Sequence, residues 1–305
     1  MKKLILLLIA IACTKIVIAQ TEGFYFTTSD SVKLYVRTAG TGNPCLFLHG
    51  GPGLTSYIFE ATPAAKLVEK EMRMIYFDQR GSGRSALAKN GDYSIYRMEK
   101  DIEELRNHFK IKKWMVMGHS FGGILMTAYA KDFPASIKSL IYLHCTLNLN
   151  ASLQSHIDNG TRLLKGVGYT YKLNTGLSKF DEMMKVHQQL AIKGIEYQIM
   201  FRSQQDMDIE NALIDSTCKP FNQDFQHHVW NMKEYSVDFA QYSSSIRVPV
   251  LIITGNKDYA VGPDSYKTWK FLNKKVVIYN GAHTSYQEEP TWFAGHVLQF
   301  VKAHQ

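Results

Sequence analysis

Gly118-His119-Ser120-Phe121-Gly122 sets a serine between two glycines, where an apolar run over 114–117 gives way to a helical stretch over 121–131. Glycines on both sides let a sharp strand-to-helix turn close, so the Ser120 hydroxyl projects from it. The start of a helix, with the N–H of Phe121, favours negative charge beside that hydroxyl. A serine at its free pKa is a poor nucleophile and needs a base. Two late segments can supply one. Asp258 stands just past the apolar run of Ile253-Thr254-Gly255-Asn256-Lys257-Asp258, and His283 closes Asn280-Gly281-Ala282-His283 after the next β-prone run. In that order the acid fixes the histidine tautomer and stabilises the imidazolium, and the histidine takes the serine proton. Asp264 follows Pro263 and reads as a helix-start residue, while the site after the run 140–143 is filled by His144 and Cys145. His283 is singled out among the 11 histidines by position; His49 and His119 read as shaping residues.

A nucleophile of this kind also needs donors for the oxyanion it creates. His49-Gly50-Gly51-Pro52-Gly53 follows the apolar run 45–48. Successive glycines there let a backbone N–H face a developing charge, and the N–H groups of Gly51 and Phe121 are the expected pair. Asp78-Gln79-Arg80-Gly81-Ser82-Gly83-Arg84-Ser85 follows another strand and reads as an ordered loop framing the site, with Arg80 structural rather than catalytic.

These segments must be positioned by something, and the hydrophobic pattern says what. Short β-prone runs at 24–28 and 32–36 flank Ser29-Asp30-Ser31 as a hairpin. Apolar strands are expected at 45–48, 74–77, 114–117 and 140–143, alternating with helices at 54–70, 94–109 and 121–131. Alternation of this kind specifies a mostly parallel α/β sheet with helices on both faces. It stops between about 146 and 245, where helix-like stretches rich in Met, Gln and Tyr replace the strands. It resumes with strands at 248–253 and 275–279 and helices at 264–272 and 290–303. The expected architecture is a core of 20–146 and 246–305 interrupted by a helical cap, 147–245, over the carboxyl ends of the strands, where open α/β sheets place ligands.

The 305 residues are 45% hydrophobic and 20% charged, a composition suited to a packed core. Cys13, Cys45, Cys145 and Cys218 form no CxxC pair, so neither a zinc site nor a disulfide framework is expected, and no cofactor is called for. Met1-Lys2-Lys3, a short apolar run and Ala19-Gln20 have the form of a secretory signal peptide, 1–19, cleaved after Ala19. The apolar run is too short to span a bilayer, and a lipoprotein box at Cys13 is matched only weakly. Export follows, with no stable membrane span in the mature chain. Removing Lys2, Lys3 and Lys15 from the formal +8 leaves +5. No Lys/Arg run is interleaved with stacking aromatics, which argues against nucleic acid as a partner.

The order HGGPG, DQRGSGRS, GHSFGG, then GNKD and GAH, resembles the α/β-hydrolase superfamily, from the hairpin to the last helix. Within it, HGGPG paired with DQRGSG is similar to the prolyl iminopeptidase group. That resemblance implies an α/β-hydrolase fold with Ser120 as nucleophile, Asp258 and His283 as its partners, and Gly51 and Phe121 as oxyanion donors. It implies a cofactor-free serine hydrolase that releases an N-terminal residue, proline foremost, from short peptides. Two departures stand out. The group often carries tryptophan after the serine, where this chain has Phe121. It also holds the substrate amine with cap carboxylates, and no local pattern selects among Glu182, Glu196, Asp206, Asp208, Glu210, Asp215, Asp224, Glu234 and Asp238. An esterase or lactonase acting on small neutral acyl groups is the alternative enzyme, and a non-catalytic binding protein the alternative from another class.

Overall fold

The computed structural model describes residues 22–304, so the signal-peptide segment lies outside the described residues. The chain runs β1 (Phe24–Thr27), β2 (Lys33–Ala39), β3 (Asn43–Leu48), α1 (Tyr57–Glu60), α2 (Pro63–Val68), β4 (Met72–Phe77), α3 (Ile95–His108), β5 (Trp114–His119), α4 (Gly122–Asp132) and β6 (Ile137–Leu143). Four helices follow with no strand between them: α5 (Leu149–Gly166), α6 (Lys179–Ile192), α7 (Gln204–Thr217) and α8 (Asp224–Val229). Then come β7 (Val250–Gly255), β8 (Lys274–Tyr279), α9 (Ser285–Glu288) and α10 (Pro290–Ala303).

The eight strands form one sheet in the order β1-β2-β4-β3-β5-β6-β7-β8. β1 pairs antiparallel with β2, and β2 antiparallel with β4. Every other pairing is parallel, in register from Cys45 opposite Met115 to Ile253 opposite Val277. Parallel strands are buried on both sides, which explains why β3, β5, β6 and β7 are nearly continuous apolar runs. One face packs Leu46, Val116, Leu140 and Ile252 against α3 and α4; the other packs Phe47, Met117, Ile141 and Ile253 against α2 and α10.

Two expected helices differ. The stretch 54–70 is two short helices, because Thr62 caps α2 through the Ala65 N–H and Pro63 occupies its first turn. The stretch 264–272 holds only a 3-10 turn, Ser265–Thr268; beyond it Trp269 and Phe271 are drawn into the core beside Tyr142. The helices of the 147–245 stretch start on side-chain caps where the sequence offers them: Asn148 for α5, Ser178 for α6 and Ser203 for α7. No described helix is long and apolar enough to cross a membrane.

Candidate active site

Ser120 sits between β5 and α4 with φ 52°, a left-handed conformation unusual for a residue bearing Cβ. Three backbone hydrogen bonds hold it there: its N–H donates to Leu143 O at 3.1 Å, and its carbonyl accepts from Gly123 at 3.0 Å and Thr146 at 3.2 Å. Strain of this kind persists only where the surroundings over-determine it. Gly122 is the reason the turn fits, since a Cβ there would stand 2.3 Å from Leu48 O. That close approach also brings the loop after β3 against the serine.

In that loop Gly51 has φ 122°, which disfavours any side chain. His49 shapes it, as expected. Its Nε2 accepts the Gln79 N–H at 2.9 Å, so Nδ1 carries the proton and donates to Gly50 O at 2.9 Å. Neither the Gly51 nor the Phe121 N–H is engaged by another group among the described residues. The next loop acts as a frame. The buried Asp78 carboxylate accepts from Thr55, Ser56 and Arg84. Arg80, fully buried, forks onto Asp101 at 2.6 and 2.7 Å and reaches Asp30 at 2.9 Å. Arg80 is therefore committed to structure. The same loop grips the segment before α8 through Gly83 with Asn222, at 2.9 and 3.0 Å, and the first turn of α8 through Gly81 O, which accepts the Phe225 N–H at 3.0 Å.

Asp258 and His283 meet at the carboxyl ends of β7 and β8. Asp258 Oδ2 accepts the His283 Nδ1–H at 2.9 Å. Burial alone would push this carboxyl up, but the charge of His283 and the hydrogen bonds from two imidazoles hold it well below the ordinary range. Burial opposes protonation of His283; the charge and hydrogen bond of Asp258, with Glu210 and Glu288 behind them, outweigh it and raise the imidazole above its usual value. His283 Nε2 is buried with no partner among the described residues, and His283 and Ser120 line the same cavity. Asp264 is exposed and paired with Lys267, away from the site.

The second imidazole on Asp258 was not expected in that role. His144, left-handed at φ 47° and fully buried, donates from Nδ1 to the same Oδ2 at 3.1 Å, while its Nε2 accepts from Ser285 Oγ at 2.8 Å. His144, Asp258 and His283 are the described residues whose ligand atoms cluster within 4.8 Å. Both nitrogens that face the carboxylate donate hydrogen bonds to it, so the buried acid has two imidazole partners.

The cavity over Ser120 measures ≈ 420 Å³. Its floor is Gly51, Phe121 and His283; its roof comes from α5, α6 and α7, with Met183, Phe180 and Trp230 giving an apolar wall. An adjoining cavity of ≈ 590 Å³ between α5, α6 and α8 touches neither Ser120 nor His283. Of the nine candidate acids named above, Glu196 and Glu210 line the cavity over Ser120. Glu210 alone also reaches the small recess shared by Ser120, His119 and His283. It is the one buried residue of α7, its Oε2 has no partner among the described residues, and burial pushes its carboxyl up to about 7.

Residues 43–162 match the family model described as the alpha/beta hydrolase fold, and the eight-stranded, mostly parallel sheet with its helices is consistent with that fold. This chain has the α/β-hydrolase fold. Over 302 residues it is 26% identical to a proline iminopeptidase of Heyndrickxia coagulans, a match covering 93% of this chain and 99% of that one. Among solved structures, a proline iminopeptidase-related protein from Thermus thermophilus superposes with a TM-score of 0.76 at 19% identity, covering 93% of this chain and 98% of that one. An esterase from Exiguobacterium antarcticum does so with 0.70 at 18%, covering 92% and 100%. At those identities the structural likeness speaks for the fold.

Proposed function

We propose that the chain is a serine hydrolase that removes the N-terminal residue, proline foremost, from short peptides. The observation that carries this reading is Glu210: a buried carboxylate, with one oxygen unpartnered, in the cavity of Ser120 and His283. A peptide α-amino group has a pKa of about 7.7–8.0, so it enters largely as a cation. Pairing with Glu210 satisfies the orphaned oxygen and restores the carboxylate's charge. It also fixes how far the first acyl carbon can lie from Ser120. The similarity to a proline iminopeptidase over nearly the whole chain supports the same class of substrate.

In this reading Ser120 Oγ attacks that acyl carbon while His283 Nε2 takes the hydroxyl proton. The Gly51 and Phe121 N–H groups receive the oxyanion, each donor worth about 3 kcal/mol of barrier. His283 returns the proton to the leaving amine, and water, activated by the same imidazole, releases the acyl group. Asp258 stays ionised throughout, orienting His283. The 147–245 stretch acts as a cap that admits small substrates. Export through the segment 1–19 belongs to the same proposal, and amino-terminal sequencing of the secreted protein is expected to begin at Gln20.

The apolar wall of Met183, Phe180 and Trp230 favours the second reading, an esterase for neutral acyl groups. Three substrates separate them: proline arylamide, its N-acetylated counterpart and a short-chain aryl ester. Cleavage lost on acetylation supports the aminopeptidase. Equal cleavage of both proline compounds, or turnover of the ester alone, assigns the esterase.

A further inference from the structure

A three-residue hydrogen-bond chain crosses the roof of the cavity, and none of its members belongs to the Ser120 constellation. Glu196, in the turn after α6, accepts from His187 Nδ1 at 3.0 Å. His187 Nε2 lies 2.8 Å from His156 Nδ1, which joins α6 to α5. All three residues line the cavity that holds Ser120, His283 and Glu210. For the neutral form of His187 the chain has one direction. A carboxylate can only accept, so His187 carries its proton on Nδ1 and presents a bare Nε2. His156 therefore donates from Nδ1, and its own Nε2 keeps a lone pair. No described residue uses that atom. His156 is deeply enclosed, and burial together with the neighbouring His187 pushes its imidazole down to about 3, so the ring is neutral over the working range.

We infer that His156 Nε2 is a substrate acceptor, receiving an N–H from the amino group of the acyl residue that Glu210 holds on its other side. The inference deepens the aminopeptidase reading and rests on it. Its physical basis is polarisation. A carboxylate placed at the cavity itself incurs a large desolvation penalty, as Glu210 does. Glu196 is only partly buried, and each hydrogen bond of a chain polarises the next. The two rings thus carry part of its negative character to a neutral acceptor inside the cavity. The protonated nitrogen of an N-terminal proline has two N–H donors, and a second acceptor takes the one that Glu210 does not. On the α5 side of the cavity, His156 Nε2 is an acceptor that no described residue uses.

The test uses two competitive ligands of matched shape, L-prolinamide and cyclopentanecarboxamide, which differ in the ring N–H. Their inhibition constants are measured on the full chain against whichever reporter substrate it turns over. The wild type is expected to prefer prolinamide. His156→Leu is expected to cut that preference about tenfold, about 1.4 kcal/mol, with the affinity for the cyclopentane ligand unchanged. His156→Gln, which keeps an acceptor, restores most of it, and Glu196→Gln loses about threefold. Equal weakening of both ligands by His156→Leu, or an unchanged preference, overturns the inference. So does a wild type that binds the two ligands alike. Failure of the aminopeptidase reading is separate: it shows as intact proline arylamide in the wild type, whatever the ligand ratio.

Discussion

Replacing Glu210 by glutamine tests how much stability the cap gives up to keep a carboxylate in the cavity. Burial moves this carboxyl from the ordinary 4.5 to about 7. A displacement of that size corresponds to about 3 kcal/mol between the folded and unfolded states. The sign follows from the direction. The folded pKa is raised, so the folded chain holds the proton while the unfolded chain has lost it. Stability from this group is complete below about pH 4.5, falls as pH rises, and is gone above about pH 8. Glutamine has the same shape and no proton to lose. Urea unfolding of the wild type and Glu210→Gln between pH 5 and 8.5 should give curves that nearly coincide at the acid end. Toward the alkaline end the variant should become the more stable by about 3 kcal/mol. Titrations not coupled to Glu210 cancel in the difference, and the coupled one is His283, which the Glu210 charge helps to raise. Parallel curves would mean that Glu210 is solvated, and the argument for an amine subsite would fall with it.

Ser120→Ala is expected to lose at least about 10⁴-fold in kcat/KM with its melting temperature preserved, and His283→Ala a comparable amount, because such residues act as a unit; activity near wild type in either removes the mechanism. For an amine-free aryl ester, kcat/KM should rise with pH along a single limb lying above the ordinary histidine value of 6.5, since His283 is raised and must be neutral to act. For a proline arylamide a descending limb should appear as the substrate ammonium, about 7.7–8.0, is lost; identical profiles for the two substrates would contradict the amine pairing. Arg80→Met should cost about 3–5 kcal/mol in denaturant unfolding, because it strands the buried Asp101, while the folded fraction keeps its KM; an altered KM with unchanged stability would give Arg80 a role in binding.

The sheet and the three strand-end residues were legible because each depends on a local signal. Ser120, Asp258 and His283 all stand just past apolar runs, and parallel strands bring such ends to one edge. Two helices failed for local reasons as well: Pro63 and its cap Thr62 already broke the first, and the second yielded to the burial of Trp269 and Phe271. His144 was visible at the end of β6, but nothing nearby in sequence links it to Asp258, 114 residues away. Glu210 was one of eleven acids in the 147–245 stretch, and it lies on a helix whose other residues are all at least partly exposed. Such a glutamate looks solvated until α7 is laid over the strand ends. The His156–His187–Glu196 chain likewise joins two helices and a turn, a relation that no spacing encodes.

The account stands or falls on Ser120 as the residue that becomes acylated. Treatment with a fluorophosphonate, followed by peptide mass mapping, measures this directly. One adduct is predicted, on the peptide containing Ser120, absent from Ser120→Ala and formed far more slowly in His283→Ala. An adduct on another residue, or equal labelling of Ser120→Ala, would contradict it.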